Sequence, residues 1–377
     1  VNLLDVQLTQ FRNYTAAKLS FCDGINCITG LNGTGKTNLL EAVYYLCVGK
    51  GFFTGQDVYN VQREQDYFRL EGRFHSQQPE DLPDNATPTL RITTDTIAVY
   101  YHVTQGKTLF RNGVKYGRLA EHVGRYPVVV IEPEDTWLIA EGGEARRKMI
   151  DNVISQVNDE YLEKLIQYNR VLVQRNSLLK QFAESREWNE SLLTVYDEQL
   201  EPLANYIHDC RNALVESLTP YLLETYQVVS GQREVAGIAY QSDVEGKSFR
   251  ELMQQNRYKD RVTQRTTRGT HRDDYELMLN GVAIKKYGSQ GQKKSSMIAL
   301  KLAFYRWIKT HTHTFPILLL DDIFDKLDPE RTTALFKLID SAEFAQVFIT
   351  DTDVERIKSR LEASMKSVKF ISLPLNA

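Results

Sequence analysis

Gly30-Leu31-Asn32-Gly33-Thr34-Gly35-Lys36-Thr37 satisfies G-x-x-x-x-G-K-[ST] at every fixed position. Glycines let a backbone curl until successive N–H groups point at one anion. The apolar segment Cys27-Ile28-Thr29 leads into the loop as a strand. A helix is expected from Thr37 to about Cys47, because Leu39, Leu40, Val43, Tyr44 and Leu46 recur at helical spacing. Its N-terminus adds a dipole that favours negative charge. In this setting Lys36 is expected to reach the β- and γ-phosphates of ATP, and the Thr37 hydroxyl to ligate Mg²⁺.

A second acidic signal lies far along the chain. Ile317-Leu318-Leu319-Leu320 is an apolar strand that delivers Asp321 and Asp322 at its C-terminal end. Ligands of open α/β sheets bind at that end. Asp321 is expected to hold Mg²⁺, directly or through water, and Asp322 to polarise the attacking water. Ser289-Gln290-Gly291-Gln292 precedes an amphipathic helix running from about Gly291 to Lys309, and a serine and glycine there can cradle an anion. Lys326-Leu327-Asp328 follows the acidic pair closely and could reach a subunit boundary; an ordinary polar turn before Pro329 is the plainer reading.

The elements that must position these groups fall into three stretches. The first third reads as strands around one helix, with Val6, Leu8, Phe11, Leu19 and Phe21 alternating, and further strands at Arg69–Phe74, Leu90–His102 and Pro127–Ile131. Gln77–Pro88 reads as an exposed turn. In the middle, Ile150, Ile154, Val157, Tyr161, Leu165, Tyr168 and Leu172 form one helical stripe, and Tyr196, Leu200, Leu203, Ile207, Cys210, Leu214 and Leu218 form another. A turn near Ser185–Asn189 makes them an antiparallel pair, and Pro202 is expected to kink the second helix or mark its start. The last third returns to mixed α/β character, with a strand at Gln346–Ile349.

Composition narrows the class. Hydrophobic residues make up 42% and charged residues 25%, which suits a globular protein. No apolar run approaches a membrane span, and no signal-peptide pattern is visible in the sequence given. Cys22, Cys27, Cys47 and Cys210 form no CxxC pair, so a reducing cytoplasm is expected. Net charge is −3, so any nucleic-acid surface must be local. Candidate phosphate contacts are the concentration Arg257, Lys259, Arg261, Arg265, Arg268 and Arg272 and the clusters Arg146-Arg147-Lys148, Lys285-Lys286 and Lys293-Lys294.

Taken in order, these features resemble the RecF family of bacterial recombination proteins, relatives of SMC-type ATPase heads. The resemblance runs the length of the chain. Its markers are Phe11-Arg12-Asn13-Tyr14, the glycine loop continued by Asn38-Leu39-Leu40-Glu41-Ala42, and Pro133-Glu134-Asp135. Arg146-Arg147, Arg175-Asn176, Gly269-Thr270-His271-Arg272-Asp273-Asp274, Ser289–Gln292 and Leu319–Asp322 complete them.

The resemblance implies an α/β, ABC-type P-loop ATPase head of the SMC-like kind with an inserted helical lobe. The head would comprise residues 1–135 and 260–377, and the lobe 136–259. It implies that Arg12 and Asn38 join the glycine loop at the nucleotide. It also implies that Ser289, Gln290, Gly291, Gln292 and Asp328 meet ATP held by a second copy. ATP-driven dimerisation on double-stranded, gapped or junction DNA, with release on slow hydrolysis, would follow, with RecR and RecO as partners and no membrane.

The chain departs from related heads in places. The signature lacks a second glycine, no glutamine stands near Glu132-Pro133-Glu134, and Asp322 replaces the usual glutamate. Thr350-Asp351-Thr352 stands where many ABC heads have a histidine, and Gly51–Thr54 offers no arginine. Other classes predict other features. A transporter ATPase subunit would show no DNA dependence. A small-molecule kinase would have an acceptor site and no dimer signature, and an SMC tether would need far longer coiled coils.

Overall fold

The computed structural model describes residues 1–374 other than 53–54, 80–89, 141, 232–233, 247, 325–326 and 363. Its elements begin with β1 (Asn2–Phe11), β2 (Tyr14–Ser20), β3 (Ile25–Thr29), α1 (Lys36–Val48), β4 (Tyr67–Pro79), β5 (Leu90–His102), β6 (Gly106–Arg111), β7 (Val114–Lys115) and β8 (Val128–Ile131). There follow α2 (Trp137–Ala140), α3 (Gly143–Ser155), α4 (Asp159–Ser185), α5 (Glu190–Ser230), β9 (Ala236–Gln241), α6 (Phe249–Thr263), β10 (Asp274–Leu279), β11 (Val282–Ala283) and α7 (Ile284–Tyr287). The chain closes with α8 (Gln290–Thr312), β12 (Ile317–Asp321), α9 (Pro329–Asp340), β13 (Val347–Asp351), α10 (Val354–Leu361) and β14 (Val368–Ser372).

The chain divides into two compact units, one of Val1–Glu134, Val228–Gln232 and Ile298–Ala377, the other of Asp135–Gln227 and Arg233–Met297. Residues 260–297, read from sequence with the head's C-terminal part, group with the second unit.

The first unit contains two sheets. One is parallel throughout, in the order β14-β3-β13-β12-β8, and the other is antiparallel, in the order β2-β1-β4-β5-β6-β7. Strands β3, β12 and β13 are buried at every residue, as expected for a parallel sheet covered on both faces. Helix α1 touches strands of both sheets and is buried everywhere except Thr37 and Asn38. An apolar stripe on one face therefore undersells this helix, which is enclosed all round. Leu39, Val43 and Leu46 share a core with Leu8, Leu70, Val99, Val130 and Leu319.

The second unit is built on helices. Helices α4 and α5 run antiparallel: Asn158 and Tyr161 meet Tyr206 and Arg211, while Arg175 meets Asp197 nearer the turn. Leu179, Phe182 and Leu193 pack there with Trp188. Two buried arginines tie the helices to the rest of the unit. Arg175 donates to Asp197 and Asp260, each at 2.8 Å, and to Thr266. Arg211 donates to Asp151, to Asp273 at 2.7 Å and to the Thr270 carbonyl. Buried charges of this kind persist because each is matched by partners, and removing one partner typically costs roughly 3–5 kcal/mol.

Several sequence expectations change here. The stripe from Ile150 to Leu172 is two helices, because Asn158 accepts from the Tyr161 N–H and caps a new start. Pro202 marks no start: α5 runs through Pro202 and Pro220. Strands β6, β9, β10 and β14 and helices α6 and α10 went unmarked, being short and mixed in polarity. The turn expected over Gln77–Pro88 lies, beyond Pro79, outside the described residues.

Two histidines are held neutral. His271 Nε2 donates to the Thr266 carbonyl at 3.1 Å, so Nδ1 accepts from the Tyr168 hydroxyl at 2.8 Å. His122 does the same with the Leu46 carbonyl and Tyr116. Burial pushes both from the usual 6.5 down to about 4. The unfolded chain therefore binds protons that the fold refuses, and stability should fall as pH drops from about 6.5 towards 4. The loss should be on the order of a few kcal/mol per histidine. Urea unfolding at pH 7 and pH 5 measures this, and His271→Asn should flatten the dependence; an unchanged midpoint between the two pH values would contradict the assignment.

Candidate nucleotide-binding site

The glycine loop joins the end of β3 to the start of α1. Gly33 and Gly35 have φ of 81° and 102°, in the left-handed region that L side chains avoid. A side chain at Gly35 would also collide with the Asn13 amide. Inside the curl, Lys36 Nζ donates to the carbonyls of Gly30 at 2.9 Å and Leu31 at 3.1 Å. Thr34 Oγ1 closes the loop onto Leu31 O at 2.8 Å, while Leu31 itself is exposed.

The strand order decides what faces this loop. Strand β13 lies between β3 and β12, and all three run parallel. Their C-terminal ends therefore bring Thr350 and Asp321 beside Thr37. Thr37 Oγ1 stands 2.9 and 3.0 Å from the two Asp321 carboxylate oxygens. Thr350 Oγ1 donates to Asp321 Oδ1 at 2.6 Å and accepts from the Asp322 N–H at 2.9 Å. Asp322 has φ of 46°, an unusual conformation for a residue with a side chain. Backbone strain of this sort persists where surrounding bonds enforce it.

Burial raises the Asp321 pKa above the ordinary carboxylate value, opposed by the Thr350 and Thr37 hydrogen bonds and by Lys36, and reinforced by Glu134. Glu134 thus lies close enough to be felt, in the segment where related heads carry a glutamine.

Arg12 and Asn38, expected at the nucleotide, are bonded around the glycine loop. Arg12 sits at the tip of the β1–β2 hairpin with φ of 51°. Its guanidinium donates to Asn60 at 2.8 Å, Asn38 at 3.3 Å and the buried Glu41 at 3.2 Å. Asn38 donates to Asn13, which donates to the Thr34 carbonyl; Tyr14 donates to the Gly35 carbonyl at 3.0 Å. All four residues of Phe11–Tyr14 thus serve the site from a different sheet, Phe11 by packing edge-on against Tyr45 of α1.

The remaining expectations scatter. Ser289 and Gln292 make a capping box at the start of α8. Ser289 Oγ accepts from Gln292 N at 3.2 Å, and Gln292 Oε1 accepts from Ser289 N at 2.7 Å. Gln292 also donates to Glu234, and Gln290 opens the helix. Asp328 caps α9 and pairs with Arg331 at 3.2 Å. Lys326 lies outside the described residues. Of the basic candidates, Arg146 is bound to Asp274 through Nε and Nη2, each at 2.8 Å, and to Leu138 O. Arg147 donates to Asp273 O, and Arg257 is engaged by Asp197, Glu190 and Thr194. Arg261 stacks on Trp188. Lys259 and Arg265 are exposed.

A protein of Flavobacterium johnsoniae named DNA replication and repair protein RecF is 37% identical over 373 residues, 99% of this chain and 100% of that protein. The chain belongs to the RecF family. The family model for an AAA domain matches residues 5–265. A solved RecF-ATP structure, of the recombination mediator protein RecF in the RecFOR pathway, superposes with a TM-score of 0.82 at 31% identity, over 93% of this chain and 92% of that one. A Smc head domain from Pyrococcus furiosus shares the fold alone, with a TM-score of 0.55 at 15% identity over 98% of this chain and 93% of that one. The architecture is thus the α/β head of RecF and SMC-like ABC ATPases, and the protein is an ATPase. No helix among the described residues is long and apolar enough to cross a membrane.

Thr350 bonds the Asp321 carboxylate and the Asp322 N–H at once, and lies in the segment Thr350-Asp351-Thr352, where many ABC heads have a histidine. Outer partners of this kind are typically worth about 10- to 100-fold in activity or metal affinity. Thr350→Val should slow ATP hydrolysis by about that factor. It should also move the acid limb of the pH–rate profile upward, since a hydrogen bond that keeps Asp321 ionised is gone. Thr350→Ser should restore both. An acid limb unmoved by Thr350→Val would remove the residue from this role.

Proposed function

We propose that this protein is an ATP-gated DNA clamp of recombinational repair. The observation that carries the reading is the union of Lys36, Thr37, Asp321 and Thr350 at adjoining strand ends, beneath a glycine loop locked by Asn13 and Tyr14. Lys36 holds the β- and γ-phosphates, and the loop N–H groups from Gly30 to Thr37 cradle them. Thr37 and Asp321 fit Mg²⁺, since a hydroxyl and a carboxylate are the hard oxygen donors that ion prefers beside phosphate. When bound, it would neutralise charge building on the β- and γ-oxygens. Asp322, fixed through its backbone by Thr350, positions the attacking water. Its side chain is shorter than the glutamate of related heads, which fits slow turnover.

Dimerisation is the second part of the proposal. The Ser289–Gln292 turn, exposed at Ser289 and Gln290 and held by its own capping box, presents a helix N-terminus to ATP bound by a second copy, with Ser289 and Gly291 at the γ-phosphate and Asp328 near the same boundary. Duplex or gapped DNA is clamped in the ATP state and released after hydrolysis, which assists recombinase loading with RecR and RecO in the cytoplasm. Membership in a family named for DNA replication and repair supports the DNA reading.

Lys36→Ala should abolish productive ATP binding, measured by calorimetry; retained affinity would overturn the phosphate assignment. Asp322→Asn should accumulate an ATP-bound dimer, seen by light scattering, that binds a labelled gapped duplex in an anisotropy titration only when MgATP is present. Adding Ser289→Arg should leave ATP binding intact and abolish both dimer and DNA signal. Dimers that survive the arginine would contradict the trans arrangement, and DNA binding indifferent to ATP would contradict the gate.

A further inference from the structure

We infer that the second unit carries a dedicated phosphate-binding pocket for the DNA backbone, built by Lys259, Arg265 and Arg272. This rests on the DNA-clamp reading and names a contact that the reading leaves open. The pocket has a volume of about 510 Å³ and is lined by the end of β9, the C-terminal turns of α6 and the segment that follows them. Four cations line it, Lys259, Arg265, Arg268 and Arg272, together with two carboxylates, Asp243 and Asp274.

Both carboxylates are already neutralised. Asp243 accepts from Arg268 at 2.7 Å, and Asp274 is gripped by Arg146. A third acid behind the wall, Asp260, is buried and accepts from Arg175 and from the N–H and hydroxyl of Thr267. Lys259, Arg265 and Arg272 therefore converge with no acidic partner among the described residues, and all three are exposed. Three uncompensated positive charges on the rim of one concavity repel each other, and an anion relieves that repulsion.

The identity of the anion follows from donor geometry. Two guanidinium forks and an ammonium suit a tetrahedral phosphodiester with two free oxygens. Tyr258, 80% exposed, stands next to Lys259 on α6 and offers a flat face to a sugar or base. The neighbours of Arg272 in Gly269–Asp274 point the same way. Thr270 is buried, His271 bonds Tyr168, Asp273 bonds Arg211 and Asp274 bonds Arg146, whereas Arg272 faces the pocket. The surrounding bonds hold the segment rigid and leave its one outward cation for a ligand.

The test is the salt dependence of duplex DNA binding by full-length Asp322→Asn protein with MgATP, with and without Lys259→Ala, Arg265→Ala and Arg272→Ala together. Each lost phosphate contact lowers the slope of log Kd against log salt by about 0.9, so the triple variant should lose about 2.7. ATP affinity measured without DNA should be unchanged, which checks the fold. Arg272→Lys should retain most of the slope that Arg272→Ala loses, and Arg63→Ala, a cation 95% exposed elsewhere, should lose far less. A triple variant with unchanged slope and affinity beside a DNA-binding parent overturns the pocket alone. A parent that binds no DNA in any nucleotide state overturns the pocket and the clamp together. Loss of binding to an acidic protein segment, with DNA binding intact, assigns the pocket to carboxylates and also overturns the proposal.

Discussion

A carboxylate buried beneath a glycine loop is tolerable only where donors and a cation face it. Asp321 meets that condition through Thr37 on one side and Thr350 on the other, with Lys36 nearby. Three consecutive strands of the parallel sheet therefore have to end at one level. The fully apolar runs of β3, β12 and β13 supply the burial that keeps them aligned, and their registers place Thr29 beside Asp351 and Thr350 beside Asp321. Slipping one strand by one residue would turn Thr350 or Asp321 to the opposite face and dismantle the site.

The glycine loop depends on a second constraint, which comes from the antiparallel sheet. Open backbone has few contacts of its own, so something outside must fix it. Asn13 and Tyr14 hold the carbonyls of Thr34 and Gly35, and Arg12 holds Asn38 and Glu41 on the first turns of α1. The left-handed conformation of Arg12 costs of order 1 kcal/mol, and the three hydrogen bonds its guanidinium donates offset it. With α1 enclosed by both sheets, hydrogen bonds join the hairpin tip, the helix start and the acidic strand into one connected set.

The second unit applies the same logic to charge. Arg175 and Arg211 are sealed inside by aspartates from distant parts of the chain, including Asp260 and Asp273. Those bonds fix the segment from Thr266 to Asp274, and its fixed backbone sets which cations are inward and which are left to solvent. Basic residues that look alike in sequence thus divide into structural ones, such as Arg146 and Arg257, and available ones, such as Lys259, Arg265 and Arg272.

The sequence by itself determined the phosphate loop, the acidic strand and the helical pair. In each, local spacing carries the physics: glycines that permit one backbone path, an apolar run that must be buried, a period of three to four. It also carried the family, through Phe11–Tyr14, Arg175-Asn176 and Gly269–Asp274, while the bonds that Arg12 and Asn38 make to Asn60, Glu41 and Asn13 came only from the fold. Only the tertiary structure decided that β13 lies between β3 and β12. Strand order arises from packing between segments hundreds of residues apart, and no local pattern encodes it. For that reason Thr350 showed only as a departure in the sequence and emerges as the bridge between Asp321 and Asp322. The pairing of each arginine was likewise settled in three dimensions, since a charge is free or engaged according to which aspartate the fold brings within 3 Å of it.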